Sequence, residues 1–426
     1  MAYCAIDFGT SNSGIALPDL ARGGVSLVEL EPGHRTMPTA VFYLTDGATV
    51  HEPLPRVYGR AALGAYVDGL EGRLMRSMKS ILGSSLAEQS TDVGAGRSVR
   101  YADVVSGYLK HLKSLAEEAA GAPLTRVVMG RPVRFVDDDA ERDARAQATL
   151  MAAAQAVGFD DVSFQFEPIA AALHYEERLA DERLVLVADI GGGTSDFSVV
   201  RVGPTRRHRE RRDDDILANH GLHVAGTDFD RRLELSAILP AAGFRGVGPT
   251  GREVPSRVYF DLATWHLINT VYAPARVAEL RRMRDFYAQP RQHGRLMRIV
   301  EHRLGHALAA LAEDAKITLA DGGPAHIALD AVERGLQVTL EERDAAAALE
   351  SDLQRIVDAA REAVAMAGVE AGAIQALYFT GGSTGLAALV HRICAAFPQA
   401  EAVHGDRFAS VAHGLGLHAR RRFGAA

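Results

Sequence analysis

The chain has 426 residues, of which 47% are hydrophobic and 24% are charged, and its formal net charge is −7. This length allows two lobes with full cores, and the acidic balance argues against nonspecific nucleic-acid binding, which depends on a basic surface. No apolar run reaches the ~18 residues that a membrane span needs, and no signal peptide is visible at the N-terminus. Because only Cys4 and Cys394 occur, we expect buried free thiols and a reducing compartment. We therefore place the chain in the cytoplasm, without a membrane or nucleic-acid partner.

The first predicted element is a hairpin around a polar turn. Apolar residues 5–6 lead into Asp7, a turn of small and polar residues follows, and residues 15–16 lie in a second apolar strand. The turn contains Gly9, Thr10, Ser11 and Asn12. Alternating segments at 25–30 and 37–44 predict further strands of a meander.

The rest of the first half is predicted to mix helices, strands and one loop. Residues 58–83 have a helical and more basic pattern, and residues 84–100 are predicted to form a loop. The apolar stripe at 101–120 predicts an amphipathic helix. A buried strand then ends at Pro132, which cannot extend a ladder. A later helix has Glu167 at its N-terminal end, just before a proline suited to the first turn.

The most informative stretch runs from Asp189 to Asp196, between an apolar strand at 184–188 and an alternating strand at 197–202. Three successive glycines at 191–193 offer backbone N–H groups to an anion such as phosphate. The flanking carboxylates would repel phosphate unless a hard cation such as Mg²⁺ lies between them. The stretch predicts a metal–nucleotide site; a glycine-rich hairpin without a ligand is the alternative. Because the first hairpin repeats this plan, we expect two similar halves that hold a phosphate chain between them.

Three later segments add to this pattern. Residues 203–215 carry arginines followed by aspartates, which predicts a solvated hairpin tip. Gly226 and Thr227 precede a predicted helix and form another candidate anion site. The strand at 376–380 ends in glycines before a helix, whose N-terminal amides favour an anion.

Taken in order, these motifs resemble the nucleotide-binding half of the 70-kDa heat-shock protein (DnaK-type) chaperone family. The segments that carry the resemblance are the first phosphate motif at 7–13, the connecting segment at 167–172, the second phosphate motif at 189–196, the second connecting segment at 226–230, the segment 313–319 and the adenosine motif at 379–384. The form of residues 313–319 is especially diagnostic, because actins and sugar kinases do not carry it.

The resemblance implies an α/β, actin-like ATPase (ribonuclease H-like) fold with two lobes and a nucleotide cleft between them. The implied lobes are 1–183, with a peripheral subdomain at about 40–102, and 184–400, with a peripheral subdomain at about 225–348; residues 401–426 form a C-terminal helix that returns to lobe I. The implied ligands are ATP and ADP with Mg²⁺, and the implied function is slow ATP hydrolysis that drives a conformational switch.

The resemblance also implies roles for individual residues. The catalytic residues would be Lys79, Glu167, Asp196, Thr194 and Thr10, and the metal residues, mostly through water, would be Asp7 and Asp189. The nucleotide contacts would be Gly9, Thr10, Ser11, Asn12, Gly191, Gly192, Gly193, Thr194, Gly226, Thr227, Glu313, Lys316, Gly381, Gly382, Ser383 and Asp406. Pro132 resembles the family's switch proline, with Arg145 as its partner.

The chain also departs from the family pattern. Ala320 and Gly385 stand where the family has a serine at the adenine edge and an arginine stacked on its face, so we expect adenine affinity to fall by about 1 kcal/mol for each lost contact. No hydrophobic linker or β-sandwich for client peptides follows the last helix, so the likeness is closest to short YegD-like members. We expect a protein partner or client, but the sequence does not identify it.

Three alternatives stay open from the sequence. The first is a nucleotide-sensing scaffold or pseudo-ATPase with little hydrolysis, which would bind a partner through the arginine-rich helices between 257 and 303. The second is a small-molecule kinase of the same superfamily, although no sugar site is recognisable. The third is a filament-forming actin relative, although no assembly surface is recognisable.

Overall fold

The computed structural model of the protein describes residues 2–19, 24–46, 53–136, 139–209, 211–407 and 409–424, so the outermost bounds predicted for the lobes, Met1 and Ala426, lie outside the described residues. The strands in chain order are β1 Tyr3–Phe8, β2 Asn12–Asp19, β3 Gly24–Leu27, β4 Thr36–Pro38, β5 Ala40–Leu44, β6 Arg56–Tyr58, β7 Gly72–Arg76, β8 Ser90–Gly94, β9 Arg97–Arg100, β10 Arg126–Arg131, β11 Asp161–Phe166, β12 Arg183–Ile190, β13 Ser195–Val202, β14 Ile216–Leu222, β15 Ala325–Ala328, β16 Gln337–Leu340, β17 Ala376–Thr380 and β18 Glu401–His404. The α-helices are α1 Gly59–Val67, α2 Tyr101–Ala120, α3 Ala140–Ala156, α4 Glu167–Glu176, α5 Gly226–Leu233, α6 Arg257–Leu262, α7 Ile268–Val271, α8 Pro274–Arg282, α9 Pro290–Glu301, α10 Gly305–Asp321, α11 Glu342–Met366, α12 Ala387–Ala396 and α13 Ser410–Phe423.

Two sheets with the same strand order organise the two halves of the chain. The first sheet has the order β11-β10-β1-β2-β3, with β4 also paired to β2, and the second has the order β14-β13-β12-β17-β18. Each begins with three antiparallel strands and adds two later strands in parallel beside the first. The predicted α/β class is confirmed. The repeated strand order agrees with the two similar hairpins that the sequence predicts at Asp7 and Asp189.

Helices cover the outer face of each sheet. The stripe predicted at 101–120 forms α2, which buries Val105, Leu109 and other apolar residues in the core of the first sheet. Phe229 of α5 and Leu353 of α11 lie in the core of the second sheet. Each half therefore has an apolar core of its own.

The helices α4 and α13 fill the space between the two sheets. Ile169 of α4 and Leu415 of α13 lie in a third core that also contains residues of β1 and β12. The two helices pack closely because Gly414 has no side chain: a Cβ added there would lie 1.8 Å from the carbonyl oxygen of Ala170. The junction of the two halves therefore depends on small residues.

Two segments of the first half differ from the prediction. Within the segment predicted to be helical at 58–83, residues Gly72–Arg76 instead form β7, which pairs with β5. The segment predicted to be a loop at 84–100 contains the hairpin of β8 and β9. Both predictions are wrong because strands of four or five residues are too short to give a clear alternating pattern.

The arginine-rich segment 203–215 differs from the prediction of a solvated tip at Arg212 and Asp215, which are buried, whereas Arg209, Arg211 and Asp213 are exposed. The Arg212 side chain is 2% exposed and donates two hydrogen bonds to Glu176 of α4, at 2.9 and 3.1 Å. Arg212 also pairs with Asp215, which is 1% exposed, and Asp215 pairs in turn with Arg206. Charged residues indicate solvent only when no buried partner compensates them, and Glu176 supplies that partner here.

The described ranges contain no helix that combines the length and the apolarity needed to cross a bilayer. Both cysteines are free thiols, and Cys4 is buried whereas Cys394 is partly buried. The free thiols agree with the expectation from the sequence.

Arg212 pairs with two buried carboxylates, so its removal should destabilise the folded protein. We expect Arg212→Met to lower the free energy of unfolding by about 3–5 kcal/mol, because Glu176 and Asp215 lose a shared buried cation. Urea denaturation measures this change. Arg211→Met is the matched control, since the neighbouring Arg211 side chain is 91% exposed, and we expect it to change stability by less than about 0.5 kcal/mol. Equal effects of the two substitutions would contradict the role of the buried cluster.

Candidate functional site

Three turns at strand ends meet between the two sheets. The first turn, residues 9–12, joins β1 to β2, and the second turn, residues 191–194, joins β12 to β13. A Cβ added to Gly192 would lie 3.2 Å from Oγ of Ser11, so these two turns approach each other closely. The third turn, residues 381–385, follows β17, the parallel neighbour of β12.

The third turn reaches the second turn through a glycine that no other residue replaces easily. Gly381 has a φ of +88°, which side chains disfavour, and a Cβ there would lie 2.4 Å from the carbonyl oxygen of Ile190 and 2.7 Å from Oδ1 of Asp189. The third turn therefore lies directly beside the carboxylate that opens the second turn.

Hydrogen bonds fix the carbonyl groups of the second turn. The Gly191 oxygen accepts from the N–H of Gly226 at 3.2 Å and from the Ser383 hydroxyl at 2.6 Å. The Gly192 oxygen accepts from the N–H and the hydroxyl of Thr227, at 2.7 and 2.8 Å. The start of α5 and the third turn therefore hold the second turn in place from two sides.

The N–H groups of this turn are left for a ligand. Within the described ranges, no acceptor pairs with the N–H of Gly192 or of Gly193, and Gly193 is exposed. Successive unpaired N–H groups in a turn form a concave site that favours an anion. The hydroxyl of Thr194, in the same turn, hydrogen-bonds to the Asp196 carboxylate.

The first turn is held by a residue that the sequence analysis did not single out. The N–H of Thr39 donates to the Ser11 oxygen at 2.9 Å, and its hydroxyl donates to the Gly9 oxygen at 2.8 Å. Thr39 lies between β4 and β5. The prediction of one continuous strand at 37–44 is therefore wrong, because the strand is interrupted at Thr39. Thr10 is partly buried and Asn12 is exposed in the same turn.

A buried lysine and a glutamate lie beside the turns. Lys79, in a short 3₁₀ helix at Met78–Ile81, is 8% exposed, and its Nζ lies 2.5 Å from Oε1 of Glu167. Burial alone would lower the pKa of Lys79, but Glu167 and Asp7 outweigh it and raise that pKa. The ammonium group is therefore charged, and it is held at the N-terminal end of α4.

The carboxylates of the site repel one another. Burial, Glu167 and Asp189 raise the pKa of Asp7 to about 8, although Lys79 opposes the shift. Burial, Asp196 and Glu167 raise the pKa of Asp189 to about 7. Burial also raises the pKa of Asp196, against the effect of the Thr194 hydroxyl. Four carboxyl groups thus share one ammonium group in this ligand-free site.

This excess of acidic oxygen atoms fits a hard divalent cation. Mg²⁺ is commonly held by one or two carboxylates together with waters and phosphate oxygens. No group of three His, Cys, Asp or Glu side chains in the described part of the chain is arranged as a complete metal cage. The four carboxyl groups are therefore compatible only with a cation held largely through water.

The remaining predicted contacts lie on α10 and before α13. Lys316 of α10 pairs with Asp230 at 2.7 Å and reaches the Gly226 oxygen at 3.5 Å, which links α10 to the start of α5. Glu313 lies one turn earlier on α10 and is exposed. Asp406 is exposed, and its Oδ1 accepts the N–H of Ala409 at 3.0 Å. This oxygen therefore already has a hydrogen-bond partner just before α13.

The structure shows Arg145, the predicted partner of Pro132, in an ion pair with another residue. Arg145 lies on the exposed face of α3 and pairs with Glu141 at 2.9 Å. The neighbouring Arg131 instead donates to the Pro132 carbonyl oxygen at 3.0 Å and pairs with Asp143 at 2.9 Å. Arg131 therefore contacts the carbonyl group of its chain neighbour Pro132, and the role predicted for Arg145 stays a prediction.

Comparison with known proteins agrees with this arrangement. Residues 3–235 match the family model described as Hsp70 protein, which is more than half of the chain. The chain belongs to the Hsp70 family. The predicted resemblance is confirmed, and the two repeated sheets are those of the actin-like ATPase fold of this family.

Individual Hsp70-family relatives are similar at modest identity. A chaperone protein DnaK from Thermosipho melanesiensis is 33% identical over 233 residues, which are 54% of this chain and 34% of that protein. A chaperone protein HscA homolog from Laribacter hongkongensis is 29% identical over 306 residues, 66% of this chain and 45% of that protein. A second HscA homolog, from Aromatoleum aromaticum, is 30% identical over 246 residues, 54% of this chain and 36% of that protein. The chain thus matches less than half the length of each of these relatives.

An aromatic cluster joins the two halves of this Hsp70-family chain away from the turns. Tyr66 of α1 stacks on Trp265, with ring centroids 4.9 Å apart, and meets His306 of α10 edge-on at 5.1 Å. Arg76 of β7 lies over the Trp265 ring, 4.5 Å from its centroid. Sequence analysis missed this contact because its members are about 200 residues apart. The single tryptophan was the only local signal.

Repulsion among the buried carboxylates should lower the free energy of unfolding of the protein without bound ligand. Because the pKa of Asp189 is about 7 in the folded chain and about 4 in an unfolded one, wild-type stability should fall as pH rises from 4 to 7. Asp189→Asn removes this ionisation, so we expect the variant to be more stable than wild type at pH 8 by about 1–3 kcal/mol, and by less at pH 5.

Denaturation of ligand-free protein by urea at pH 5 and pH 8 tests this expectation. Asp358→Asn is the matched control, since Asp358 is half-exposed on α11 and its substitution should give the same small effect at both pH values. A stability difference for Asp189→Asn that does not grow with pH would show that Asp189 carries no such repulsion.

Proposed function

We propose that this chain binds ATP and ADP with Mg²⁺ between its two sheets and hydrolyses ATP slowly, as a nucleotide-driven conformational switch. Two observations carry the proposal. Two turns face each other, and no described residue accepts the N–H groups of Gly192 and Gly193 in one of them. A cluster of acidic residues surrounds Lys79 beside these turns. Membership of the Hsp70 family supports it independently.

The phosphate chain of the nucleotide lies between the first and second turns in this proposal. The amides of Gly192 and Gly193 bind phosphate oxygens, as unpaired N–H groups in a nest do. The hydroxyls of Thr10 and Thr194 contact the same chain. Mg²⁺, held mostly through water by Asp7 and Asp189, supplies positive charge that offsets both the phosphates and the crowded carboxylates.

Hydrolysis proceeds by in-line attack of a water on the γ-phosphate, and the protein contributes positioning and charge. Lys79, fixed by Glu167, orients the water and neutralises charge at the phosphate. Asp196 accepts the proton of that water, and its raised pKa suits it to hold a proton. The nucleoside lies toward Glu313, Lys316 and Asp406, at the edge formed by α10 and the third turn.

The switch consists of two lobes that close on the nucleotide. We assign lobe I to 1–183 and lobe II to 184–400, with residues 401–426 returning to lobe I and peripheral subdomains at about 40–102 and 225–348. The contact of Tyr66 with Trp265 joins these subdomains, and its opening and closing would pass the nucleotide state to a protein partner.

The second candidate is a nucleotide-sensing scaffold with little hydrolysis. Ala320 and Gly385 favour it, because neither residue offers a side-chain hydrogen bond to a base. Its proposed surface is less favoured, since arginines of the 257–303 segment pair within the chain: Arg276 with Glu279, Arg281 with Glu301, and Arg291 and Arg295 with Glu333.

Single-turnover hydrolysis of radiolabelled ATP with Mg²⁺ tests the proposal. We expect Lys79→Ala to slow hydrolysis by roughly 10²-fold, because it removes the cation that positions the water, while ATP still binds. Lys110→Ala is the control, since Lys110 is exposed on α2 and should leave the rate unchanged. Binding of ATP without hydrolysis in wild type would favour the scaffold, and absence of nucleotide binding would refute both functions.

The aromatic cluster predicts control of nucleotide release. We expect Tyr66→Ala to speed ADP dissociation severalfold and to shift Trp265 emission toward that of an exposed indole, because the stacked partner is lost. Stopped-flow release of a fluorescent ADP analogue and the emission spectrum measure the two effects. Val67→Ala, at a neighbouring residue that is 45% exposed, should change neither. An unchanged release rate in Tyr66→Ala would mean that the cluster does not control opening.

A further inference from the structure

The side chain of Arg407 covers Gly385, the last residue of the third turn. A Cβ added to Gly385 would lie 2.8 Å from Nη1 and 3.2 Å from Cζ of Arg407. The guanidinium group therefore occupies the space that a side chain at position 385 would need. It arrives there from a different segment, the connection between β18 and α13.

The charge of Arg407 is available to a ligand. Arg407 is exposed, and no acidic side chain of the described residues pairs with it. The preceding Asp406 instead accepts the N–H of Ala409 at 3.0 Å. A planar guanidinium that is not engaged in an ion pair stacks well on an aromatic ring.

The position of Gly385 places this guanidinium at the edge of the nucleotide cleft. The third turn is tied to the second by the hydrogen bond from Ser383 to the Gly191 oxygen, at 2.6 Å. The amides next to Gly191 form the proposed phosphate cradle. Arg407 therefore lies over the turn that is hydrogen-bonded to the proposed phosphate site.

The helix α10 supplies an apolar surface on the neighbouring side of this edge. α10 contacts the third turn, and its Lys316 reaches the Gly226 oxygen at 3.5 Å. Ile317 follows Lys316 and is 52% exposed, so its side chain is open to a ligand. Ala320 lies one turn further along the same face. An exposed isoleucine beside the predicted site suits the apolar face of a base.

We propose that Arg407 stacks on the base of the bound nucleotide and that Ile317 contacts the base from α10. Arg407 then supplies, from another segment, the stacking contact whose loss the sequence predicts at Gly385. This inference rests on the proposed nucleotide function, and it makes Arg407 a determinant of nucleoside affinity with no part in the reaction itself.

Calorimetric titration with three Mg²⁺-loaded probes tests the assignment: ATP, ADP and inorganic tripolyphosphate, which has no base. We expect Arg407→Ala to weaken ATP and ADP binding about tenfold and to leave tripolyphosphate affinity unchanged. Arg407→Lys keeps the charge but loses the planar group, so it should lose most of the same affinity. The exposed arm residue Arg211 provides the control, and Arg211→Ala should alter none of the three affinities.

A rescue variant separates stacking from a general structural effect. Because the guanidinium fills the space above Gly385, Gly385→Arg combined with Arg407→Ala should recover ATP affinity to within about threefold of wild type. A purely structural role for Arg407 would give no such recovery, and thermal unfolding of both variants checks that they fold.

The possible results distinguish failure of the proposed nucleotide function from failure of the inference about Arg407. Wild-type protein that binds neither ATP nor tripolyphosphate would refute the proposed function, and the inference with it. Wild-type protein that binds ATP, with equal affinity in Arg407→Ala, would overturn the inference alone. Equal weakening of ATP and tripolyphosphate would also overturn it, because Arg407 would then act on the phosphates, and so would the failure of Gly385→Arg to recover ATP binding.

Discussion

The close packing of α4 against α13 is the constraint on which the rest of the structure depends. Gly414 lets the Ala170 carbonyl approach so closely that the two helices act as one thin layer between the sheets. With a larger residue at 414 the sheets could not both rest on that layer, and the turns at their ends would not meet. The site is therefore set by backbone proximity far from any residue that touches a ligand.

The site itself is electrostatically unfavourable without its ligands. Asp7, Asp189 and Asp196 all have raised pKa values because burial and mutual repulsion oppose their ionisation, and Lys79 offsets only part of this. Proteins commonly tolerate such a cost where function needs it. The burial of apolar residues in the cores of both halves offsets this electrostatic cost. Positive charge supplied at this site would reduce the same repulsion.

Local sequence was enough to predict the turns but not the contacts between distant segments. Asp189 and the glycines after it form a motif whose chemistry is readable within eight residues, and its strands lie where the alternation predicts them. Arg212 was misjudged because its partner Glu176 is 36 residues away and burial cannot be seen in a run of charges. The sequence alone shows that position 385, a glycine, has no side chain to contact a base. The sequence could not reveal that Arg407 fills the space, since that depends on how β18 and α13 are placed.

The buried cluster at Glu176 has a mechanical consequence for the whole molecule. α4 carries Glu167 at one end and, nine residues along, Glu176 at the other, where Arg212 fastens it to the segment between β13 and β14. Arg421 of α13 donates to the Arg207 oxygen of the same segment at 2.7 Å, so both central helices are fastened to this segment. The helix is about 15 Å long, so a rotation of about 10° about its Glu176 end would move the far end by about 2–3 Å. A displacement of that size would equal roughly the length of one hydrogen bond.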